Sequence, residues 1–164
     1  MAKPILMAVD EQINDLEVIQ RELVSRYAAD YQIICESSAA VALQRLEALR
    51  DAGKQVVVVL VALEMDTVTG IEFLDHVQAL YPGVQRIVLM PPGPRSASKP
   101  MLHAFTLGRI DRYIVKPRCS PDEQFHRLMT ELLEEWQRQQ QTQSMAVTIV
   151  GERWNARSYE LRDL

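Results

Sequence analysis

The sequence predicts a doubly wound α/β protein, a parallel sheet of five strands alternating with five helices. Three observations predict it. Val56-Val57-Val58-Val59-Leu60-Val61 is a run of six apolar residues, five of them β-branched, the composition of a strand buried on both faces in the middle of a parallel sheet. Short β-branched runs alternate along the chain with apolar stripes at helical spacing, as strand–crossover–strand units require. The junctions between them carry cap and turn residues. In open parallel sheets ligands sit beyond the carboxyl ends of the strands, which here places a site near Ala62.

Each element has its own local warrant. Ile5 to Val9 is a short apolar strand, followed at once by Asp10-Glu11. Asn14, with Glu17 three positions later, reads as a capping box opening a first helix whose inward stripe is Ile13, Leu16, Ile19 or Gln20, Leu23 and Tyr27. Tyr31 to Cys35 is a shorter, less apolar strand that suits an edge. Ser37-Ser38 opens a second helix with Ala39, Ala42, Leu43, Leu46 and Leu49 inward, stopped by Asp51-Ala52-Gly53-Lys54. After the central strand, Thr69-Gly70 begins a third helix with Phe73, Leu74, Val77, Leu80 and Tyr81 inward, ended by Pro82-Gly83. Val84 to Leu89 is the fourth strand. Pro91-Pro92-Gly93-Pro94 is a stiff loop, because proline fixes φ and cannot join a ladder. A weaker helix runs near Lys99 to Leu107, and Tyr113-Ile114-Val115 is the fifth strand. Ser120-Pro121-Asp122-Glu123 has a capping serine, proline at the first helical position and acids at the positive end. Phe125, Leu128, Met129, Leu132, Leu133 and Trp136 complete that last helix's stripe.

At 164 residues, 48% apolar and 24% charged, the chain can bury one ordinary core with some sequence left over. No run approaches the ~18 apolar residues of a membrane helix, and Met1-Ala2-Lys3-Pro4 leads straight into a strand with no secretory signal. The two cysteines, Cys35 and Cys119, form no Cys-x-x-Cys pair, as expected of a cytoplasmic protein. The net charge of −4 hides an asymmetry: from Arg86 to Arg118 there are seven basic residues and one acid, so that segment is +6 and the rest of the chain −10. This predicts a basic face on an acidic body. Without a recognition helix or interleaved aromatics it reads as a protein-docking or solvated face and not a nucleic-acid surface. His76, His103 and His126 fall on three different predicted helices without ligand spacing. Cys119 reads as an inert thiol, since reactivity needs a lowered pKa.

The acidic pair Asp10-Glu11 after the first strand, Met65 and Gly70 framing the loop after the third, and Lys116-Pro117 after the fifth together resemble a response-regulator receiver domain over roughly residues 3–137. The resemblance implies a flavodoxin-like sheet in the order 2-1-3-4-5. It also implies phosphoryl transfer to an aspartate ending the third strand, Mg²⁺ at the acidic pair, a serine or threonine ending the fourth strand, and a lysine on the phosphoryl group. Tyr113 matches the family's switch aromatic. The stretch Val147 to Leu164 resembles the join in receivers fused to a thioredoxin-reductase-like flavoprotein, without that enzyme's glycine fingerprint. The expected organisation is a receiver-like domain over 1–137, a glutamine-rich helical tail or linker over 138–146, and the start of a second domain over 147–164.

The match departs at its centre. Ala62 stands at the phospho-acceptor position, and a methyl group offers no nucleophile. Met90 stands where a hydroxyl should end the fourth strand, and Asp66 replaces a proline. The pocket Asp10, Glu11, Ala62, Met90 and Lys116 is thus degenerate, and Asp10 with Lys116 reads most simply as an ion pair. No catalytic residues and no cofactor are expected, and Mg²⁺ at Asp10 and Glu11 at most weakly, because the ion wants near-octahedral oxygens. The function expected is a phosphorylation-independent signalling module, not an enzyme, acting on a protein partner or a fused C-terminal redox domain. Its contact face is expected at the fourth helix, fifth strand and fifth helix (Arg95, Lys99, Arg109, Arg112). A homodimer could pair that face with the acids Glu131, Glu134 and Glu135. The alternative is a phosphorylatable receiver in which Ala62 is an engineered replacement of aspartate. Met90 and the proline loop oppose it, since one engineered change does not explain them.

Overall fold

A computed structural model describes residues 3–91, 99–117 and 122–142 of the chain. The elements run β1 (Ile5–Val9), α1 (Ile13–Tyr27), β2 (Gln32–Glu36), α2 (Ala39–Asp51), β3 (Val56–Ala62), α3 (Gly70–Leu80), β4 (Gln85–Met90), α4 (Lys99–Thr106) and β5 (Arg112–Val115). A further helix, α5, covers residues 123–142. The strands form one parallel sheet in the order β2-β1-β3-β4-β5, the flavodoxin-like arrangement. β3 lies between β1 and β4, and all seven of its residues are buried, which is why it carries no polar side chain.

The two faces of the sheet are set by alternation along each strand. Ile5, Met7 and Val9 of β1 and Val59, Val61, Val88 and Met90 share one apolar cluster with Ala42 and Leu46 of α2, Phe73, Leu74 and Val77 of α3, and Ala104 of α4. The intervening Leu6, Ala8, Leu60, Ile87 and Leu89 are equally buried and face the other side. Leu16, Ile19 and Leu23 of α1 are buried outside that first cluster. Between Ile5 and Leu6 the register against β3 jumps from Val56 to Val58. Val57 is the extra residue of a bulge, so Val56 and Val59, three apart, end in the same cluster.

Three helix starts are set by side-chain caps. Ser38 Oγ accepts from Val41 N at 3.4 Å and Thr69 Oγ1 from Glu72 N at 3.2 Å, as the sequence predicts. For α5 the cap is Asp122, whose Oδ1 accepts from Phe125 N at 3.1 Å; Ser120 and Pro121 lie outside the described residues. The capping box at Asn14 does not form. α1 begins two residues earlier than that cap implies, at Ile13, with Gln12 at the cap position and no side-chain cap bond. The turn into α1 is instead closed from β1, by Asp10 Oδ1 accepting from Gln12 N at 2.9 Å. Asn14 is thereby a helical residue, and Ile13 is 62% exposed, off the inward stripe.

By its internal contacts the chain divides into two compact units, Met1–Met129 and Thr130–Leu164. In the second, the described residues are helical through 142, with Leu132, Leu133 and Trp136 buried. The tail expected to begin a second domain, Val147 to Leu164, lies outside the described residues. Among the described residues no helix is long and apolar enough to cross a membrane.

Candidate functional site

The carboxyl ends of β1, β3 and β5 bring the sequence-predicted pocket residues together. Asp10 directly follows β1 and is fully buried. Lys116 directly follows β5, with its backbone N–H bonded to Met90 O at 2.9 Å. Its Nζ lies 2.8 Å from Asp10 Oδ2 in an ion pair and donates to Asp15 Oδ2 of α1 at 3.0 Å. Burial pushes the Lys116 ammonium toward a lower pKa. The hydrogen bonds and charges of Asp10 and Asp15 outweigh it and hold the group above the ordinary lysine value. The ion pair read from the sequence is therefore present, with Asp15 as an added second arm. Sequence reading missed Asp15, although it lies on the first turn of the helix that Asp10 leads into.

Glu11 does different work. Its Oε2 accepts from the backbone N–H of Asp66 at 2.6 Å and its Oε1 from Thr67 Oγ1 at 3.4 Å. The carboxylate thus clamps the loop between β3 and α3. Gly70 sets the other end of that loop. A Cβ there would lie 2.3 Å from the carbonyl oxygen of Ala62, so only glycine lets α3 start this close to the end of β3.

Ala62 is 1% exposed at the end of β3 and presents a methyl group. Met90 is equally buried and belongs to the apolar cluster beneath α2, α3 and α4, filling space where a hydroxyl would donate. Around these residues lies a cleft of ≈ 490 Å³ whose charged lining is Glu11, Asp15, Glu64, Asp66 and Lys116. Four carboxylates against one ammonium make it an unfavourable place for an added dianion. The donor set also does not fit Mg²⁺. Asp10 is paired with Lys116, Glu11 is committed to the loop, and the third position is a methyl, whereas the ion takes near-octahedral oxygens. Among the described residues no three His, Cys, Asp or Glu side chains converge as a ligand set.

Among the described residues, the side chains of the basic segment go to different places. Arg86 is buried, with Nε on Asp111 Oδ2 at 3.2 Å, Nη1 on Gln78 and on the Arg109 carbonyl, and Nη2 on the Gly108 carbonyl. It braces the turn before β5 from within. Lys116 points into the cleft, and Arg109 forks onto Asp75 of α3 at 2.5 and 3.3 Å. Charge counted along the chain misled because the backbone directs these side chains to different places. Arg112 is half-buried and Lys99 exposed; Arg95, Arg118 and Cys119 lie outside the described residues. Beside the exposed Lys99, His103 and Thr106, α4, the turn after it and β5 expose large apolar side chains: Leu102, Phe105, Leu107, Tyr113 and Val115 are each at least 42% exposed. Tyr113 meets Phe105 edge-on with ring centroids 6.1 Å apart.

One polar cluster escaped sequence reading. Glu22 of α1 and His126 of α5 are buried, with Glu22 Oε2 2.5 Å from His126 Nε2. The same Oε2 accepts from Asp122 N at 3.1 Å, and Tyr27 Oη lies 3.1 Å from His126 Nδ1. The available signal was positional: Glu22 follows Ile19 by three and precedes Tyr27 by five, and His126 sits beside Phe125, so both fall on apolar stripes. Cys35 is half-buried, and burial followed by the charge of Glu36 pushes its thiol up to about 11, which keeps it an unreactive thiol at neutral pH.

No family model matches the chain, and no curated protein matches it. Solved structures do. A signal receiver domain of an HD-domain-containing protein from Pseudomonas fluorescens Pf-5 is 25% identical, with a TM-score of 0.63, covering 86% of this chain and 94% of that one. An uncharacterised protein from Neptuniibacter caesariensis is 26% identical, with a TM-score of 0.66, over 83% of this chain and 92% of the other. A CheY-like response-regulator receiver domain from Methanospirillum hungatei JF-1 is 18% identical, with a TM-score of 0.64, over 84% and 99%. The fold is that of response-regulator receiver domains, several of which are among the solved structures that share it.

Proposed function

We propose that this chain is a receiver-like module of two-component signalling that works without phosphorylation and acts by protein contact. The observation that carries the reading is Ala62. β3 ends at a buried methyl, one residue before Leu63 on the cleft wall, and Asp10 and Lys116 pair with each other after β1 and β5. No nucleophile means no phosphoryl-aspartate. The acidic lining and the committed carboxylate of Glu11 support the same reading. Ala62 as an engineered substitution explains neither Met90 in the core nor the acidic loop. Signal output is contact with a protein partner or a fused C-terminal redox domain in the cytoplasm, the redox reading resting on the resemblance of residues 147–164. The exposed apolar side chains of α4 and β5 support contact there, where a homodimer would also pair.

The test is direct. Incubated with acetyl phosphate and Mg²⁺, the intact chain should show no mass gain of one phosphoryl group. A stoichiometric, base-labile adduct refutes the reading and points to Asp66 on the cleft wall.

A further inference from the structure

The residues that a receiver would turn toward a divalent cation are turned inward here. Asp10 is fully buried and its Oδ2 meets Lys116 Nζ at 2.8 Å, while Asp15 reaches the same nitrogen from α1 at 3.0 Å. Glu11, the remaining member of the acidic pair, is held by Asp66 N and Thr67 Oγ1. An ammonium on a flexible stem is a compact point charge with three donors, so it can balance two carboxylates at once without the six ordered oxygens a magnesium ion demands. A divalent ion entering this site would have to displace that ammonium and leave two positive centres side by side.

We propose that the Lys116 ammonium is the resident cation of this cleft, standing in for the divalent ion and tying the end of β5 to β1 and α1 at all times. The proposal deepens the phosphorylation-independent reading and shares with it the missing carboxylate at Ala62. A tie of this kind removes the ligand-dependent step at the cleft. Lys116 would then fix the one geometry that the α4–β5 surface presents.

The experiment is a titration of the isotope-labelled full chain with Mn²⁺, read as broadening of backbone amide signals, beside thermal melts with Mn²⁺ or with Na⁺ at equal ionic strength. In the wild type, the amides of Asp10, Glu11 and Gln12 should keep their line widths at millimolar Mn²⁺. Lys116→Met should melt about 5–10 °C lower, because it leaves the buried Asp10 carboxylate uncompensated. It should regain part of that loss with Mn²⁺ and not with Na⁺, since binding to the native state alone raises the melting point. Adding Asp10→Asn to Lys116→Met should abolish the recovery. Broadening of those amides in the wild type overturns the proposal, as does a folded Lys116→Met that ignores Mn²⁺.

Should that variant not fold, acetylation of the wild-type lysines decides the question. Lys116 should react at least about tenfold more slowly than the exposed Lys54 and Lys99, and equal rates overturn the tie. The two readings fail separately. A phosphoryl adduct sinks the function proposed above, whereas Mn²⁺ broadening without an adduct sinks only the Lys116 tie.

Discussion

Two polar clusters brace α1, one at each end, and they differ in their access to water. At the start of the helix Lys116 joins Asp10 and Asp15, and the Asp15 side chain is 48% exposed. Further along, Glu22, His126 and Tyr27 form a cluster in which Glu22 and His126 are at most 1% exposed. The first opens on the cleft, where an arm can be exchanged for water or screened by salt. The second is dry, so each polar atom depends on its protein partner. The difference separates two jobs. The wet cluster lies where a receiver would do chemistry, and the dry one fixes how the start of α5 seats against α1.

The largest expected effect lies in the dry cluster. His126→Ala removes the ring that faces the Glu22 carboxylate at 2.5 Å. Leaving a buried polar group without its partner typically costs about 1–3 kcal/mol, and more for a charged group, a large fraction of the roughly 5–15 kcal/mol that holds a domain folded. Urea unfolding should show that loss. A Glu22→Leu, His126→Leu double variant should lose less, because neither the carboxylate nor the ring is left behind without the other; Tyr27 Oη keeps the His126 carbonyl, and only Asp122 N loses an acceptor. A single variant no worse than the double would show that the cluster is not the closed, dry pair described here.

A middle-sized effect is expected on the floor of the cleft, which is as dry as the far end of α1 although its rim is wet. Gly70→Ala places a methyl 2.3 Å from the Ala62 carbonyl oxygen, with backbone on both sides of the clash. Neither side can swing away as a long side chain could, so α3 must slide. Overpacking of this sort costs about 1–3 kcal/mol. The variant should also loosen the bond between Glu11 and Asp66 N, visible as faster amide exchange at Asp66. Unchanged stability and exchange would mean that the loop is not pinned at both ends.

The same contrast explains what could be read in the sequence. The sheet was legible because burial on both faces leaves an unmistakable signal in Val56 to Val61, and the order of strands follows from the receiver resemblance. The cleft was legible because Asp10 and Lys116 directly follow strands, and strand ends point to one place. Asp15 was not, since an acid on the first turn of a helix usually answers the helix dipole alone. The Asn14 cap was misplaced because Asp10, from outside the helix, closes the turn two residues earlier. The basic segment was only partly legible for a related reason: charge summed along the chain says nothing of direction, and Arg86 turns inward while Arg109 turns toward α3. Glu22 and His126 stayed hidden because each alone reads as an ordinary surface residue. Only the packing of two distant helices makes them a pair.

The smallest expected effect tests the wet extreme, the fork between Arg109 and Asp75 at 2.5 and 3.3 Å. The hydrogen bond to Asp75 raises the Arg109 guanidinium above its ordinary value against a smaller opposing effect of burial, yet both side chains remain about 40% exposed. Exposed ion pairs add little to stability, because water and salt compete for the same charges. Arg109→Ala should therefore shift the melting temperature slightly at low salt. At about 1 M NaCl, where the screening length falls to about 3 Å, the shift should vanish. Arg109→Glu should do somewhat more at low salt, since it sets a carboxylate against Asp75, and likewise nothing at high salt. Self-association is the second readout of the same variants. The large apolar side chains exposed on α4, β5 and the turn between them are Leu102, Phe105, Leu107, Tyr113 and Val115, beside the polar Lys99, His103 and Thr106, so a dimer held by the apolar side chains should hold or tighten as salt rises and ignore both Arg109 variants in sedimentation. A dimer that dissolves with salt or with Arg109→Glu would return the contact to charge and would show that Arg109, paired with Asp75 within one chain, exchanges that partner for one on another.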